Sequence, residues 1–339
     1  MPFRMYVSQQ EEDRVSIFTM DAATGKLEPQ AEVSVKGGPA PMATDPEQNF
    51  LYVGRRGSRQ LSSFRIDRET GGLALIRTIP LATDPCYLGV DRKGKFVLAA
   101  YYEGARVTVH AIGDDGAATA PPALSLDTAR GAHCIQTDPS NRFAFVPHIA
   151  IKGPSEIFQF TFDESTGQLT RNATPSVSPG GDLGPRHFCF HPSRDVVYCT
   201  NEQGCSVTAY NLDPSAGTLT PYQTVTTLPG DFEGKNSCAQ IQISPSGRFL
   251  YAPNRGHNSI ACFTIDASDG KLTPVGHVSA DPVPRALSLD PSGSFMFAAG
   301  LETGRLTSYR VNGDTGELVP LETYSVGKRP MWVLFTGRA

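Results

Sequence analysis

One glutamate and a group of basic residues are the side chains whose types could do chemistry together. Glu202 is the acid, and the basic residues are His133, Arg186, Arg255 and Arg285. A guanidinium offers a fork of donors that binds carboxylate or phosphate, and a glutamate or histidine can accept and return a proton. If the fold gathers these residues, they could bind a small anionic substrate and act on it by acid–base chemistry and charge stabilisation.

Other familiar catalytic patterns are missing from the sequence. It has no clustered carboxylates and no Cys/His spacing typical of a metal site. It also lacks a Gly-x-Ser-x-Gly elbow and a glycine-rich loop between a strand and a helix. We therefore expect the chain to use neither a metal nor any other cofactor.

A short repeated tag indicates the elements that must position the candidate residues. The pattern Asp-x-x-x-Gly-x-Leu recurs about every 46 to 53 residues. Its copies start at Asp21, Asp67, Asp163, Asp213 and Asp266, with a sixth at Asn312 and a degraded seventh at 113–116. Each tag follows an alternating run of β-branched and aromatic residues, which predicts a strand. Asp and Gly then supply the chemistry of a hairpin turn.

A second repeated element lies about 30 residues before most tags. In its clearest copy, 286–297, an apolar strand, an Asp-Pro turn and another apolar strand follow one another. Four antiparallel strands per repeat at this period predict a propeller blade. Six complete repeats start near Gly37, Thr83, Gly131, Gly184, Asn236 and Val283. Strands from both chain ends would complete a seventh, so we expect residues 1–339 to form one all-β, seven-bladed propeller without a free edge.

Aligning the repeats predicts rings of residues around one mouth of the central channel. The starts of the inner strands provide Ala40, Cys86, His133, Arg186, Ala239, Arg285 and Arg329. The ends of the second strands provide Gln9, Arg55, Tyr101, His148, Asn201, Asn254 and Gly300. The residues next along are Gln10, Arg56, Tyr102, Ile149, Glu202, Arg255 and Leu301.

Two groups of candidates follow from these rings. We predict a catalytic group and a substrate-binding group around the mouth. The catalytic group is His133, Glu202, Arg186 and Arg255, and the substrate-binding group is Arg285, Arg329, Arg55 and His148. Two other interpretations remain open: arginine–glutamate pairs could simply join neighbouring blades, and His148 could cap a loop instead of lining the channel.

Composition narrows the class of partner and the location. The net charge is −4, and no basic run exceeds two or three residues, which argues against nucleic-acid and membrane-surface binding. No window of 18 apolar residues occurs, and the start of the sequence lacks the apolar core of a signal peptide. The seven cysteines show no CxxC spacing and are expected to be reduced, so we predict a cytoplasmic protein.

Several segments resemble the lactonase family of seven-bladed propellers. They are 184–192, which begins Gly-Pro-Arg-His, Asn201-Glu202, Val283-Pro284-Arg285 and Pro330-Met331-Trp332-Val333. The family includes bacterial propeller-type 6-phosphogluconolactonases and fungal carboxy-muconate cyclases, and the first branch is the more similar. The resemblance implies a site at the channel mouth formed by His133, Arg186, Glu202 and Arg255. It departs at 147–151, where many members have an Asp-Leu-Gly type of sequence.

Three functions are compatible with these features. The favoured one is hydrolysis of a sugar-acid lactone, 6-phospho-D-glucono-1,5-lactone above all, with Glu202 or His133 as general base and arginines stabilising the oxyanion. The second is a lyase or cycloisomerase reaction on a muconate-type polycarboxylate gripped by the same arginines. The third is a non-enzymatic interaction propeller, against which the absence of Trp-Asp dipeptides and the charged mouth both argue.

Overall fold

The computed structural model describes residues 3–337, which form 28 strands joined by turns. The strands in the first half of the chain are β1 (Phe3–Gln9), β2 (Arg14–Met20), β3 (Leu27–Ser34), β4 (Pro39–Thr44), β5 (Phe50–Arg55), β6 (Gln60–Ile66), β7 (Leu73–Pro80), β8 (Tyr87–Val90), β9 (Phe96–Tyr101), β10 (Arg106–Ala111), β11 (Leu124–Asp127), β12 (Gln136–Thr137), β13 (Phe143–Pro147) and β14 (Ile157–Phe162). Those in the second half are β15 (Leu169–Val177), β16 (Pro185–Phe190), β17 (Val196–Asn201), β18 (Ser206–Asp213), β19 (Thr218–Thr226), β20 (Gln242–Ile243), β21 (Phe249–Asn254), β22 (Ser259–Ile265), β23 (Leu272–Ser279), β24 (Pro284–Leu289), β25 (Phe295–Gly300), β26 (Arg305–Val311), β27 (Leu318–Ser325) and β28 (Pro330–Thr336). No helix in this range is long and apolar enough to cross a membrane.

The strands form seven sheets of four antiparallel strands, which confirms the predicted seven-bladed propeller. Blades 1 to 6 are β4–β7, β8–β11, β12–β15, β16–β19, β20–β23 and β24–β27, each running outward from the channel in chain order. Blade 7 has the order β28-β1-β2-β3, so its inner strand comes from the C-terminal part of the chain. The register runs from Arg4 opposite Thr336 to Ser8 opposite Trp332, and it closes the ring as predicted.

The repeated tag forms the hairpin between the third and outer strands of every blade. In blade 7 the Asp21 carboxylate accepts from the N–H groups of Ala23 and Thr24, and the Gly25 N–H donates to the Asp21 carbonyl. The glycine of each of the seven tags has positive φ, from 66° to 84°, including Gly116 in the degraded copy. A left-handed residue of this kind favours glycine because it has no Cβ.

The same glycines join neighbouring blades. The Tyr6, Tyr52, Tyr198 and Tyr251 hydroxyls each donate to the carbonyl of a tag glycine in the following blade. A Cβ on Gly25 or Gly217 would come within 2.3 Å or 2.0 Å of a phenylalanine ring of the preceding blade. The tag thus fixes the turn and also the spacing between blades, which keeps residues of different blades in register around the channel.

The hydrophobic core lies between adjacent blades. One cluster packs Leu98 and Val107 of blade 2 against Val146 and Phe160 of blade 3, and similar clusters occupy the other interfaces. All seven cysteines are free thiols, and five of them are buried.

Candidate active site

Most inner strands are preceded by a residue with positive φ, and the side chain two positions later points to the channel. In five blades a residue with positive φ precedes the first position of the inner strand or its bridge, namely Gly38, Gly131, Gly184, Val283 and Arg329. The side chains two positions later are Ala40, His133, Arg186, Arg285 and Met331. Ala40, Arg186, Arg285 and Met331 all line one cavity at the mouth. The turn therefore places a basic residue at the mouth in blades 3, 4 and 6.

Arg329 does not take the position predicted for it. It occupies the turn itself, with φ of 51°, where three other blades have glycine, and Met331 fills the channel position. The Arg329 side chain is 47% exposed, and its Nε lies 3.4 Å from Glu11 Oε1. The alignment was two residues out of step because the final strand has no following proline turn from which to count. Arg329 is accordingly a surface residue outside the site.

The ends of the second strands divide into two sets because successive side chains of a strand point to opposite sides. The last strand residues point outward into their own blades. Gln9 donates to Ser16, Asn201 to Ser206 and Asn254 to Ser259. The residues that follow point to the channel, as Arg56, Tyr102, Glu202 and Arg255 show.

Arg55 and His148 belong to the outward set, so their predicted place at the channel mouth was wrong. The Arg55 guanidinium donates to the Lys36 carbonyl, and its Nη1 lies 3.3 Å from Ser62 Oγ and 3.5 Å from Thr78 Oγ1. His148 is fully buried against Phe158 of the third strand, with ring centroids 4.2 Å apart. Burial lowers the pKa of His148 to about 4, and the ring is neutral at neutral pH.

Five predicted residues do meet at the mouth, and Glu202 is their centre. Its Oε2 lies 2.5 Å from Arg186 Nε in the same blade and 3.1 Å from Arg255 Nη2 in the next. Arg255 also donates to the Cys238 carbonyl. The Arg186 side chain is 1% exposed, and those of Arg255 and Glu202 are 13% and 14% exposed. We call Arg186, Glu202, Arg255 and the adjacent His133 the paired arc.

The charges of the paired arc are strongly coupled. Burial opposes ionisation of Glu202, but Arg186, Arg255 and Arg285 outweigh it and lower the pKa of that carboxyl below its usual value. Burial lowers the pKa of Arg186 to about 10, against the opposing effect of Glu202. Glu202 is thus a carboxylate, and a weakly basic one, because its two guanidinium partners stabilise the ionised form.

His133 lies beside the arginines as a neutral imidazole. Its ring centroid is 5.2 Å from that of His187 and 6.1 Å from that of Tyr102. Burial first, and then the positive charges of Arg186 and Arg285, lower the pKa of His133 well below its ordinary value. Its buried Nδ1 has no hydrogen-bond partner among residues 3–337. The ring is therefore neutral at neutral pH, and its Nδ1 is free to hydrogen-bond a bound molecule.

A second pair of arginines lies in the cavity at the mouth. A water-sized sphere can reach only about 10 Å³ of its interior. The lining residues are Ala40, Pro41, Arg56, Cys86, Arg186, His187, Gln240, Arg285, Met331 and Trp332. Within residues 3–337, neither the Arg56 nor the Arg285 guanidinium has a carboxylate within 4 Å. We call Arg56 and Arg285 the unpaired arc.

Trp332 forms the floor of this cavity together with two other rings. Its ring centroid is 5.9 Å from that of His187 and 5.7 Å from that of Tyr87. Trp332 and Tyr87 also line a larger cavity of about 500 Å³, which contains residues from the far ends of the inner strands. These rings therefore lie between the two cavities.

Three residues at the mouth were not among the sequence-based site candidates. The aligned rings contain Arg56 as the blade 1 equivalent of Glu202, but Arg55 beside it was predicted to bind substrate instead. His187 reaches the cavity because a register shift between Pro185 and Phe188 breaks the alternation of β16. Trp332 had no signal beyond being the single tryptophan of the chain.

Two connections beside the mouth are tied to each other. The Ser155 hydroxyl donates to the Gly181 carbonyl and accepts from the Gly184 N–H, and the Ala150 N–H donates to Gln203 Oε1. Strand β15 continues to Val177, so the second of these connections spans residues 178–184. These bonds hold the segment that leads into Arg186.

The arrangement suits charge stabilisation and proton transfer on an anion. Among residues 3–337, no three His, Cys, Asp or Glu side chains come close enough to hold a metal ion. Four arginines and one carboxylate lie at the mouth, and two of the guanidiniums are held by that carboxylate. Fixed donors of this kind stabilise negative charge that develops on an oxygen, and the neutral His133 supplies a base.

Comparison with known proteins identifies the relatives of this chain. A family model described as "Lactonase, 7-bladed beta-propeller" matches residues 4–335. The chain belongs to this lactonase family. It is 33% identical over 329 residues to a 6-phosphogluconolactonase of Pectobacterium carotovorum, covering 97% of each chain. It is also 33% identical to the 6-phosphogluconolactonase of Yersinia pestis, covering 98% of each chain.

Solved structures agree with this lactonase-family fold. The periplasmic gluconolactonase of Pseudomonas aeruginosa matches with a TM-score of 0.91 at 23% identity, covering 100% of both chains. A protein from Lactobacillus plantarum matches with a TM-score of 0.89 at 23% identity, covering 99% of this chain and 100% of the other. At such identities the likeness concerns the fold.

Proposed function

We propose that this lactonase-family protein hydrolyses 6-phospho-D-glucono-1,5-lactone to 6-phosphogluconate. The observation that carries the proposal is the paired arc, in which one carboxylate fixes two guanidiniums beside a buried neutral imidazole. The 6-phosphogluconolactonase relatives, which match over nearly the whole chain, support the same substrate.

His133 acts as the general base in this proposal. It takes a proton from a water molecule, whose oxygen attacks the lactone carbonyl carbon and forms a tetrahedral intermediate. The bond from that carbon to the ring oxygen then breaks, and the imidazolium returns the proton to the departing ring oxygen. The resulting carboxylic acid ionises. A general base typically contributes about 10²–10⁴-fold to the rate.

Glu202 acts as a positioning residue. Since Arg186 and Arg255 lower the pKa of this carboxyl, it is a poorer proton acceptor than an ordinary glutamate. Its contribution is to hold the two guanidiniums toward the oxyanion that forms on the carbonyl oxygen. A positioned donor of this kind contributes on the order of 10²–10³-fold.

Substrate binding would make the base stronger. Burial is the main cause of the low pKa of His133, and the positive charges of Arg186 and Arg285 add to it. A phosphate dianion bound among the arginines offsets those charges and raises the pKa of the imidazole toward neutrality. Binding and proton transfer are thereby linked, so a substrate without the phosphate would meet a weaker base.

We further propose a cytoplasmic location and a small anionic substrate as the only partner of the site. Seven free thiols suit a reducing compartment, and phosphorylated metabolites are retained inside cells. Neither nucleic acid nor a membrane surface is expected to bind. A fusion of this chain to a fluorescent protein, compared by cell fractionation with a periplasmic marker, tests the location.

The test of the activity is proton release. Purified protein is added to freshly prepared 6-phosphogluconolactone, and acid production is followed in a weakly buffered indicator solution. We expect hydrolysis well above the spontaneous rate, and above the rate with His133→Asn protein at equal concentration. In parallel, loss of the ultraviolet absorbance of a carboxy-muconate is monitored. If the protein cyclises the muconate but does not hydrolyse the lactone, the cycloisomerase alternative replaces the proposal. If it does neither, the interaction propeller is the remaining alternative.

A further inference from the structure

Arg56 lies at the mouth, and its guanidinium has no partner among the described residues. Its backbone N–H donates to the Gly38 carbonyl at 2.9 Å, and its side chain lines the cavity. Within residues 3–337, the guanidinium makes no hydrogen bond or ion pair with a protein group. Arg55, one residue earlier, donates to three protein oxygens. Adjacent arginines on one strand end thus differ in that only Arg56 has its donors free for a ligand.

Arg285, on the other side of blade 7, also has a guanidinium without a protein partner among the described residues. It is the second residue of β24, and the Arg285 guanidinium is likewise without a hydrogen bond or carboxylate among the described residues. Burial lowers the pKa of Arg285 well below its ordinary value, and the positive charges of Arg186, Arg255 and Arg56 add to this effect. Partly buried cations that repel one another are costly unless an anion compensates them.

The apolar surroundings define where such an anion would sit. Between the two arginines, blade 7 contributes Met331 and Trp332, and blade 1 contributes Ala40 and Pro41, none of which carries a competing charge. The inner strands β24, β28 and β4 are direct neighbours around the channel. Two guanidinium forks on neighbouring sides of the mouth suit a tetrahedral dianion, because each can donate to two of its oxygens.

We propose that Arg56 and Arg285 together form the phosphate subsite of the lactonase. Arg56 would then determine the specificity for phosphorylated lactones. The inference rests on the proposed function and adds an orientation to it. The phosphate lies against blades 6, 7 and 1, and the lactone carbonyl faces the paired arc of blades 3 to 5. Arg56 is then the residue that distinguishes a phosphorylated sugar acid from its unphosphorylated counterpart.

The test compares Arg56→Gln with Arg55→Gln as a matched control. The value of kcat/KM is measured for 6-phosphogluconolactone and for glucono-1,5-lactone. We expect Arg56→Gln to lower the ratio of the two values by about 10- to 100-fold, as is typical when a charged hydrogen-bonding partner is lost. Arg56→Lys, which keeps the charge without the fork, should lower it less. Arg55→Gln should leave the ratio within about 3-fold of the wild type.

A binding measurement separates failure of the subsite from failure of the activity. Calorimetric titration with 6-phosphogluconate and with gluconate should show tighter binding of the phosphorylated acid, lost in Arg56→Gln. If the wild type hydrolyses neither lactone, the proposed function fails and this titration still decides the subsite. Equal affinities of wild type and Arg56→Gln for 6-phosphogluconate, or no binding to the wild type, would overturn it. Melting curves of each variant show that it is folded.

Discussion

The two sides of the channel mouth use the same side chain in different ways. In the paired arc, Arg186 and Arg255 are bound to Glu202 at 2.5 Å and 3.1 Å. In the unpaired arc, Arg56 and Arg285 have no carboxylate partner among residues 3–337. The propeller supplies equivalent backbone positions to both arcs, so the difference comes from one glutamate in blade 4.

The two kinds of arginine have different roles: one is held in a fixed orientation, and the other attracts an anion. A guanidinium held by a carboxylate has a fixed direction and much of its charge balanced, so it can stabilise a small developing charge at a defined point. A guanidinium without a partner keeps its full charge and its donors, so it attracts an anion that brings its own charge. A site that must bind a phosphate and polarise a carbonyl needs both kinds of arginine.

Replacing the base of the paired arc should give the largest effect. His133→Asn is expected to lower kcat for 6-phosphogluconolactone by about 10²–10⁴-fold, because the paired arc then loses its general base. Stability should change little, since the buried Nδ1 has no hydrogen-bond partner to lose. Proton-release kinetics with melting curves measure both. A variant that retains more than about a tenth of kcat, far above the loss expected for a general base, would remove His133 from the mechanism.

Removing the carboxylate of Glu202 from the paired arc should give the next largest effect. Glu202→Gln should lower kcat/KM by on the order of 10²–10³-fold, because Arg186 and Arg255 lose the group that directs them. The folded state should lose about 3 kcal/mol, since Arg186 is left buried without its partner. Urea unfolding and steady-state kinetics check these values.

The control for that substitution is Arg329→Gln. Arg329 forms only an exposed ion pair with Glu11, so this variant should change kcat/KM by less than about 2-fold. The pH profile distinguishes a positioning role from that of a base. Glu202→Gln should keep the loss of activity at acid pH that His133 causes. A profile flat toward acid in that variant would make Glu202 the base instead.

The charge of the unpaired arc should also set the pH dependence. Since burial and the Arg186 and Arg285 charges lower the pKa of His133, the free protein keeps its base unprotonated until the pH falls below the usual histidine range. The value of kcat/KM should therefore be constant near neutral pH and fall only in more acid solution. Arg285→Gln removes one of those charges and should move the fall to higher pH. An unchanged midpoint would mean that the two arcs are not coupled.

Replacing His148 should have a smaller effect, on the pH dependence of stability and not on activity, because this histidine points away from the channel. Its pKa is about 4 when folded and about 6.5 when unfolded, so the unfolded chain binds the proton first on acidification. Stability that is present above about pH 6.5 is thus lost as the pH falls toward about 4, by about 3 kcal/mol from this residue. His148→Leu should remove that part of the loss and leave kcat/KM unchanged. Urea unfolding at neutral and acid pH measures it, and a reduced kcat/KM would return His148 to the site.

The fold was predictable because its determinants are local and repeated. The tag residues form their own turns, as Asp21 and Gly25 show, and the spacing of the tags counts the blades. Even the joining of both chain ends followed from two incomplete repeats. Nothing at the level of blade number or strand order required information from distant contacts.

The site was only partly predictable because a shift of one or two residues changes which way a side chain points. Arg186, Glu202, Arg255, Arg285 and His133 were aligned correctly, because glycine or proline marks the start of most of their strands. Arg55 and His148 were one residue from the inward positions. His187 depended on an irregular register, and Trp332 on the packing of three rings, which no local pattern encodes.

The three rings at mid-channel also limit how molecules come and go. Because Trp332 borders the cavities on both sides, we expect the space beside the arginines to be reached only from the mouth. Whatever leaves must use the route by which the next molecule arrives. A departing acid that still carries its phosphate would then compete with incoming lactone for the same guanidiniums, so turnover at high product concentration should be limited by exit.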